Sequence, residues 1–185
     1  MKKLLALMFM VCAFPFVTWG ADADALNLTI TMAKGQRSRD AGGATTSITI
    51  SGETIVYELN YSGMSRRQSR APKEFKLEGA DRKRLIDLIK ARKLLVTKSI
   101  VRPYYESGNL TFFVLSISSE VNGHKGLISI RGPRNAADIK ESKLYTGAVA
   151  LIEAIYEIIH RTDAEIVYEP LMRYPATTRV APTIE

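Results

Sequence analysis

Two histidines and one cysteine are the whole stock of imidazole and thiol side chains in this 185-residue chain. His124 stands beside Asn122-Gly123, a turn signature in which an exposed polar side chain is convenient. His160 closes a helical pattern, where the helix dipole stabilises its proton. A zinc site takes three or four His, Cys or carboxylate ligands at workable spacing, and no His-x-x-x-His or Cys-x-x-Cys pair exists. Alternating Asp/Asn residues of a calcium loop are missing too. The Gly-x-Ser-x-Gly elbow of serine hydrolases is also missing. Ser107-Gly108-Asn109 reads as a turn before a strand, and Gly42-Gly43 lacks the Lys-Ser/Thr of a phosphate-binding loop. Glu53, Glu58, Glu74, Glu78, Glu106 and Glu120 fall in different elements, so a glycosidase pair would have to be assembled in space. No catalytic residue, metal or cofactor is expected, and an enzyme is the least favoured reading.

Charge is more informative. The chain is formally +7, and between Arg66 and Arg102 it carries 13 Lys/Arg against four Asp/Glu, a net of +9. A basic block in a nearly neutral background is a candidate surface for an anionic partner. The residues expected to form it are Arg66, Arg67, Arg70, Lys73 and Lys76 in a loop, then Arg82, Lys83, Lys90 and Lys93 on a helix. Nucleic acid is not expected as the partner, since it favours stacking aromatics beside the cations, and only Tyr104 and Tyr105 are near.

The N-terminus points to where such a partner would be met. Lys2 and Lys3 precede an apolar run from Leu4 to Val17, and Ala21, Ala23 and Ala25 supply small residues for cleavage. This order of charge, apolar core and Ala-x-Ala is that of a secretory signal peptide. Fourteen apolar residues are too few for a membrane span, which takes roughly 20. Cleavage after Ala23 or Ala25 would remove Cys12, leaving a chain indifferent to an oxidising compartment. Residues 1–25 are therefore expected as a leader, with the remainder exported to the periplasm or the medium.

The elements that must hold these residues follow from periodicity. Leu26 to Met32 alternates apolar and polar, the pattern of a half-buried strand. Thr45–Ile50 and Thr54–Tyr61 predict a hairpin with a three-residue loop at Ser51-Gly52-Glu53, with Ile55, Tyr57, Leu59 and Tyr61 on one face of its second arm. Ser62 to Pro72 reads as a loop. Asp81 is expected to cap a helix whose apolar face is Leu85, Leu88 and Ile89. Leu110–Val121 is apolar on both faces at its centre and belongs inside the sheet, returning through Asn122-Gly123 into Leu127–Arg131. Leu144, Ala148, Leu151, Ile152, Ile155, Tyr156 and Ile159 form the stripe of a final helix, with Ser142 or Thr146 at its start. Ile166-Val167-Tyr168 could add a small edge strand before the prolines at 170, 175 and 182.

The fold class is accordingly α+β: a largely antiparallel sheet of about five to six strands, covered on one face by two helices. Residues 26–161 are expected to form one domain and residues 162–185 a loosely ordered tail. Over Leu26 to Arg161 this element order resembles that of emfourin-type inhibitors of thermolysin-like peptidases. That resemblance implies an inhibitor or accessory subunit of an exported hydrolase. The residues themselves favour an exported, non-enzymatic binding domain of the bacterial envelope. Its partner would be a phosphorylated lipid, an acidic glycan or an acidic protein, contacted through residues 66–102.

Overall fold

The computed structural model describes residues 25–36, 43–62, 68–69, 71–102 and 111–171. Residues 1–24 of the expected leader, Arg66, Arg67, Arg70, Tyr104, Tyr105, Ser107-Gly108-Asn109 and the tail from 172 onward lie outside them. In chain order the elements are β1 (Leu26–Gln36), β2 (Gly43–Ser51), β3 (Thr54–Ser62), β4 (Gln68–Ser69), β5 (Lys73–Lys76), α1 (Gly79–Ala91), β6 (Thr97–Val101), β7 (Thr111–Val121), β8 (His124–Pro133), α2 (Ala137–Lys140) and α3 (Lys143–His160). The strands form one sheet in the order β4-β3-β2-β1-β7-β8-β6, with β5 alongside the outer edge of β3. Every pairing is antiparallel except that of β6 with β8.

The α+β class and the largely antiparallel sheet agree with the sequence patterns, but the described elements exceed them, with eight strands and three helices. Two of the additional strands are short. β4 lies within the expected loop, and β5 is four residues long. Their registers differ by one: Asn60 pairs with Ser69, whereas Tyr57 pairs with Lys73. Three residues thus separate the paired positions on the outer segment and two on β3, the signature of a β-bulge. Pro72 falls there, and it has no N–H to give a ladder.

Alternation sorts the sheet into two faces. Leu28, Ile30, Met32, Ile48, Ile50, Ile55, Phe113, Leu115, Ile117, Ile128 and Ile130 are buried on the face that α1 and α3 cover. The register aligns Thr31 with Ser47 on one side and Ser116 on the other, so the opposite face is lined with small hydroxyls. β7 sits between β1 and β8, as its two apolar faces demand. α3 buries Tyr145, Leu151, Ile152, Ile155, Ile158 and Ile159, each large aliphatic side chain contributing roughly 1.5–3 kcal/mol relative to exposure.

Turns and caps follow local chemistry, with two corrections. Asn122 (φ 49°) and Gly123 (φ 81°) make the tight β7–β8 turn that positive φ at both centres allows. The β2–β3 loop has two residues rather than three, because Ser51 pairs directly with Thr54 and Gly52 alone takes positive φ (60°). Ser142 caps α3, accepting from the Tyr145 N–H at 3.2 Å. Asp81 does not cap α1: the helix starts two residues earlier, behind Glu78, and Asp81 lies in its first turn. There its carboxylate accepts two bonds from the Arg161 guanidinium, at 2.9 and 3.1 Å, tying α1 to the end of α3.

α1 carries the chain from the β5 edge of the sheet to the opposite edge, where β6 joins parallel to β8. After Lys93, at φ 54°, the chain dips to bury Leu94 and crosses directly over Gly126.

A strap-covered tyrosine cavity as the candidate functional site

The even spacing of Tyr57, Leu59 and Tyr61 places all three on the helix-covered face of β3. α3 crosses this face obliquely, from Tyr145 against Phe113, which shares a row with Lys34, to Tyr156 against Tyr57, and it leaves open the corner where the register sets Lys34, Ala44 and Tyr61 in one row. The gap is bridged by the segment after α3. Asp163 accepts from the Glu165 N–H at 3.1 Å, closing a local turn. Ile166 then inserts into the core at 8% exposure, Val167 points out at 66%, and Tyr168 turns back in. Alternation at Ile166–Tyr168 is therefore real, but the segment crosses the face of the sheet instead of extending its edge. No ladder forms, and the expected edge strand is replaced by a strap.

Both ends of the strap are tied down. Lys73 of β5 pairs with Asp163 at 2.5 Å. Lys34 of β1 donates to the Glu169 carboxylate at 2.8 Å and to its backbone carbonyl at 3.0 Å. Arg134 donates to the carbonyls of Leu171 (2.7 Å) and Pro170 (3.0 Å), and Leu171 is fully buried. Packing thus continues well past Arg161.

Beneath the strap lies a cavity of about 440 Å³. Met32, Leu59 and Ile166 supply apolar wall, while Tyr57, Tyr61, Tyr156 and Tyr168 supply aromatic faces and hydroxyls. The Tyr156 ring meets Tyr57 edge-on at 6.1 Å and Tyr168 at 5.3 Å, and its hydroxyl shares hydrogen bonds with those of Tyr57 and Thr46. Burial pushes the phenols of Tyr156 and Tyr168 far above the ordinary tyrosine value. Both stay neutral and serve as fixed dipoles. At the rim, hydrogen bonding to Lys34 holds Glu169 below the usual carboxylate range, and Lys73 does the same for Asp163. Lys34 and Lys73 sit at opposite corners, since the rows of Tyr61 and Tyr57 are four residues apart on β3, roughly 13 Å.

The expected basic surface is divided by this arrangement. Lys73 lines the cavity. Lys76, on the other face of the same short strand, pairs with Glu78 at 3.1 Å, which raises its pKa. Arg82 is half-buried, and no described group accepts from its Nε. Lys83, Lys90 and Lys93 are exposed and carry no ion pair among the described residues. His124 opens β8 and His160 closes α3, both exposed. Among the described residues no three His, Cys, Asp or Glu side chains cluster as metal ligands would.

Sequence reasoning missed Lys34, Tyr156, Tyr168 and Glu169 as a group. Tyr156 reads as one more member of an apolar stripe, and Lys34 as the start of a loop. The one available signal was Tyr57 and Tyr61 at period two beside Leu59, an aromatic face richer than a small core needs. No family model and no curated protein matches this chain.

Proposed function

We propose that this chain is an exported, non-catalytic binding domain, and that it holds a small organic anion in the strap-covered cavity, a different site from the surface at residues 66–102 expected to meet a lipid, glycan or protein. The observation that carries this reading is the convergence of four tyrosines on one 440 Å³ space whose rim holds two lysines, each already paired with a carboxylate that a ligand's acid group could replace. A volume of that size is in the range of small-molecule sites, and a mostly apolar wall with a few fixed polar groups is their usual build. No histidine, serine or cysteine lines it among the described residues, and its buried phenols are held neutral. Fixed phenol dipoles and an apolar wall equip the site to hold a ligand. Export is supported by the leader pattern alone.

The test is a thermal-shift panel of octanoate, benzoate and glucose 6-phosphate on the wild-type chain and on Ala44→Phe, which fills the cavity from β2. Saturation at about 100 Kd adds roughly 2.7 kcal/mol, so at least one anion should raise the melting temperature by roughly 5–10 °C. That shift should vanish in Ala44→Phe. A flat panel, or equal shifts in both proteins, removes the cavity from consideration.

A further inference from the structure

The strap indicates which kind of anion the cavity takes. Its backbone is fixed at both ends, by Ile166 in the core and by the Arg134 bonds to the carbonyls of Pro170 and Leu171. Only side chains are therefore available to make room. Of the two rim carboxylates held by lysines, Glu169 is the freer, with 84% of its side chain exposed, against 19% for Asp163. Its partner is the reverse: the Lys34 side chain is only 20% exposed and points along the cavity wall.

We propose that Glu169 is an internal stand-in for the ligand's acid group, and that the cavity binds a monocarboxylate with an apolar body, whose carboxylate replaces that of Glu169 on Lys34. This rests on the cavity reading above and adds the ligand's chemistry to it. An ammonium has three N–H donors. One is spent on the Glu169 carbonyl, which keeps Lys34 aimed while the side chain of Glu169 swings away. The vacated position is shaped by a carboxylate and matches another. Charge separates a monoanion from a dianion: with Asp163, Glu165 and Glu169 against Lys34 and Lys73 around the rim, a monocarboxylate exchanging one for one with Glu169 adds no negative charge beside Lys34, whereas a phosphate monoester does. The ligand body would lie against Met32, Leu59 and the ring of Tyr156, where desolvation favours hydrocarbon.

Calorimetric titration of the full chain with octanoate and with octanol, which keeps the body and lacks the acid, tests this. Glu169→Gln removes the competing charge at an exposed position and leaves the cavity intact. It should tighten octanoate binding about three- to fivefold, the factor an exposed ion pair supplies, and leave octanol unchanged. Lys34→Met should weaken octanoate by a comparable or larger factor, again sparing octanol. Equal affinities for both probes in all three proteins would overturn the carboxylate assignment while leaving the cavity as a ligand site. Binding of neither probe to any of the three would overturn the assignment together with the cavity reading.

Discussion

Tyr156 and Tyr168 are the side chains whose chemistry the fold changes most. Ionising either would leave a phenolate in a poorly solvated site, so burial raises both pKa values far above the ordinary tyrosine value. A group whose folded pKa is raised stabilises the fold fully below its unfolded value and loses that contribution as pH climbs beyond it. The chain should therefore hold its stability to about pH 10 and then unfold, with tyrosinate absorbance from the buried phenols appearing together with loss of secondary structure. A pH titration followed by ultraviolet absorbance and circular dichroism reads both. Smooth ionisation of all tyrosines near pH 10, with the fold intact, would contradict their burial. At the acid end the sign reverses: Asp163 and Glu169 have depressed values, so their contribution is present above the ordinary carboxylate range and fades below it. Little at this scale was legible beforehand. A tyrosine in a helical stripe looks the same in sequence whether it faces solid core or a cavity.

Elements were far more legible, because their signals are local. The alternation of Leu26–Met32, the Asn122-Gly123 turn and the stripe of α3 all depend on neighbours within a few residues, and all three appear in the structure. The four-residue α2, the two-residue β4 and the parallel placement of β6 carry no comparable pattern. Their positions depend on what lies beside them, as the crossing over Gly126 shows. A Cβ there would meet the Leu94 carbonyl oxygen at 2.7 Å, the Leu95 Cα at 2.8 Å and the Val96 nitrogen at 2.9 Å, all backbone atoms. Gly126→Ala must push β8 and the α1–β6 connection apart, at a cost of about 1–3 kcal/mol as for other overpacked sites. Gly79→Ala, where a Cβ meets nothing within 4 Å, is the matched control and should be close to neutral. Urea unfolding of the two variants gives the comparison, and similar midpoints would show that the crossing tolerates a side chain.

Over the whole molecule, the +9 stretch between Arg66 and Arg102 is a property of the chain that tertiary structure redistributes. Lys73 turns to the strap and Lys76 to Glu78, while Arg84 pairs with Glu157 of α3 at 2.7 Å. Lys83 and Lys90 are left to solvent on α1, and Lys93, expected on the same helix, lies beyond its end at Ala91, where its positive φ of 54° turns the chain out of the helix. If an acidic glycan meets this protein through its outer surface, those three are the expected site residues that the structure leaves exposed for it, with Arg92 and Lys98 exposed beside them. Replacing all three with Gln should lower the salt needed to elute the chain from heparin, since exposed charges act through a screened field. Unchanged elution would take α1 out of any contact surface, and a single protein partner held at high salt would favour the inhibitor reading instead.

Periodicity and turn chemistry were sufficient for an α+β domain with a largely antiparallel sheet under helices, because both report on residues two to four positions apart. The partners of Lys34, the meeting of Tyr57 with Tyr156 and the path of the strap bring together residues about 100 positions apart or more. Such contacts leave no local period. They arise from the oblique path of α3 across the sheet, and that is decided only when the core has closed.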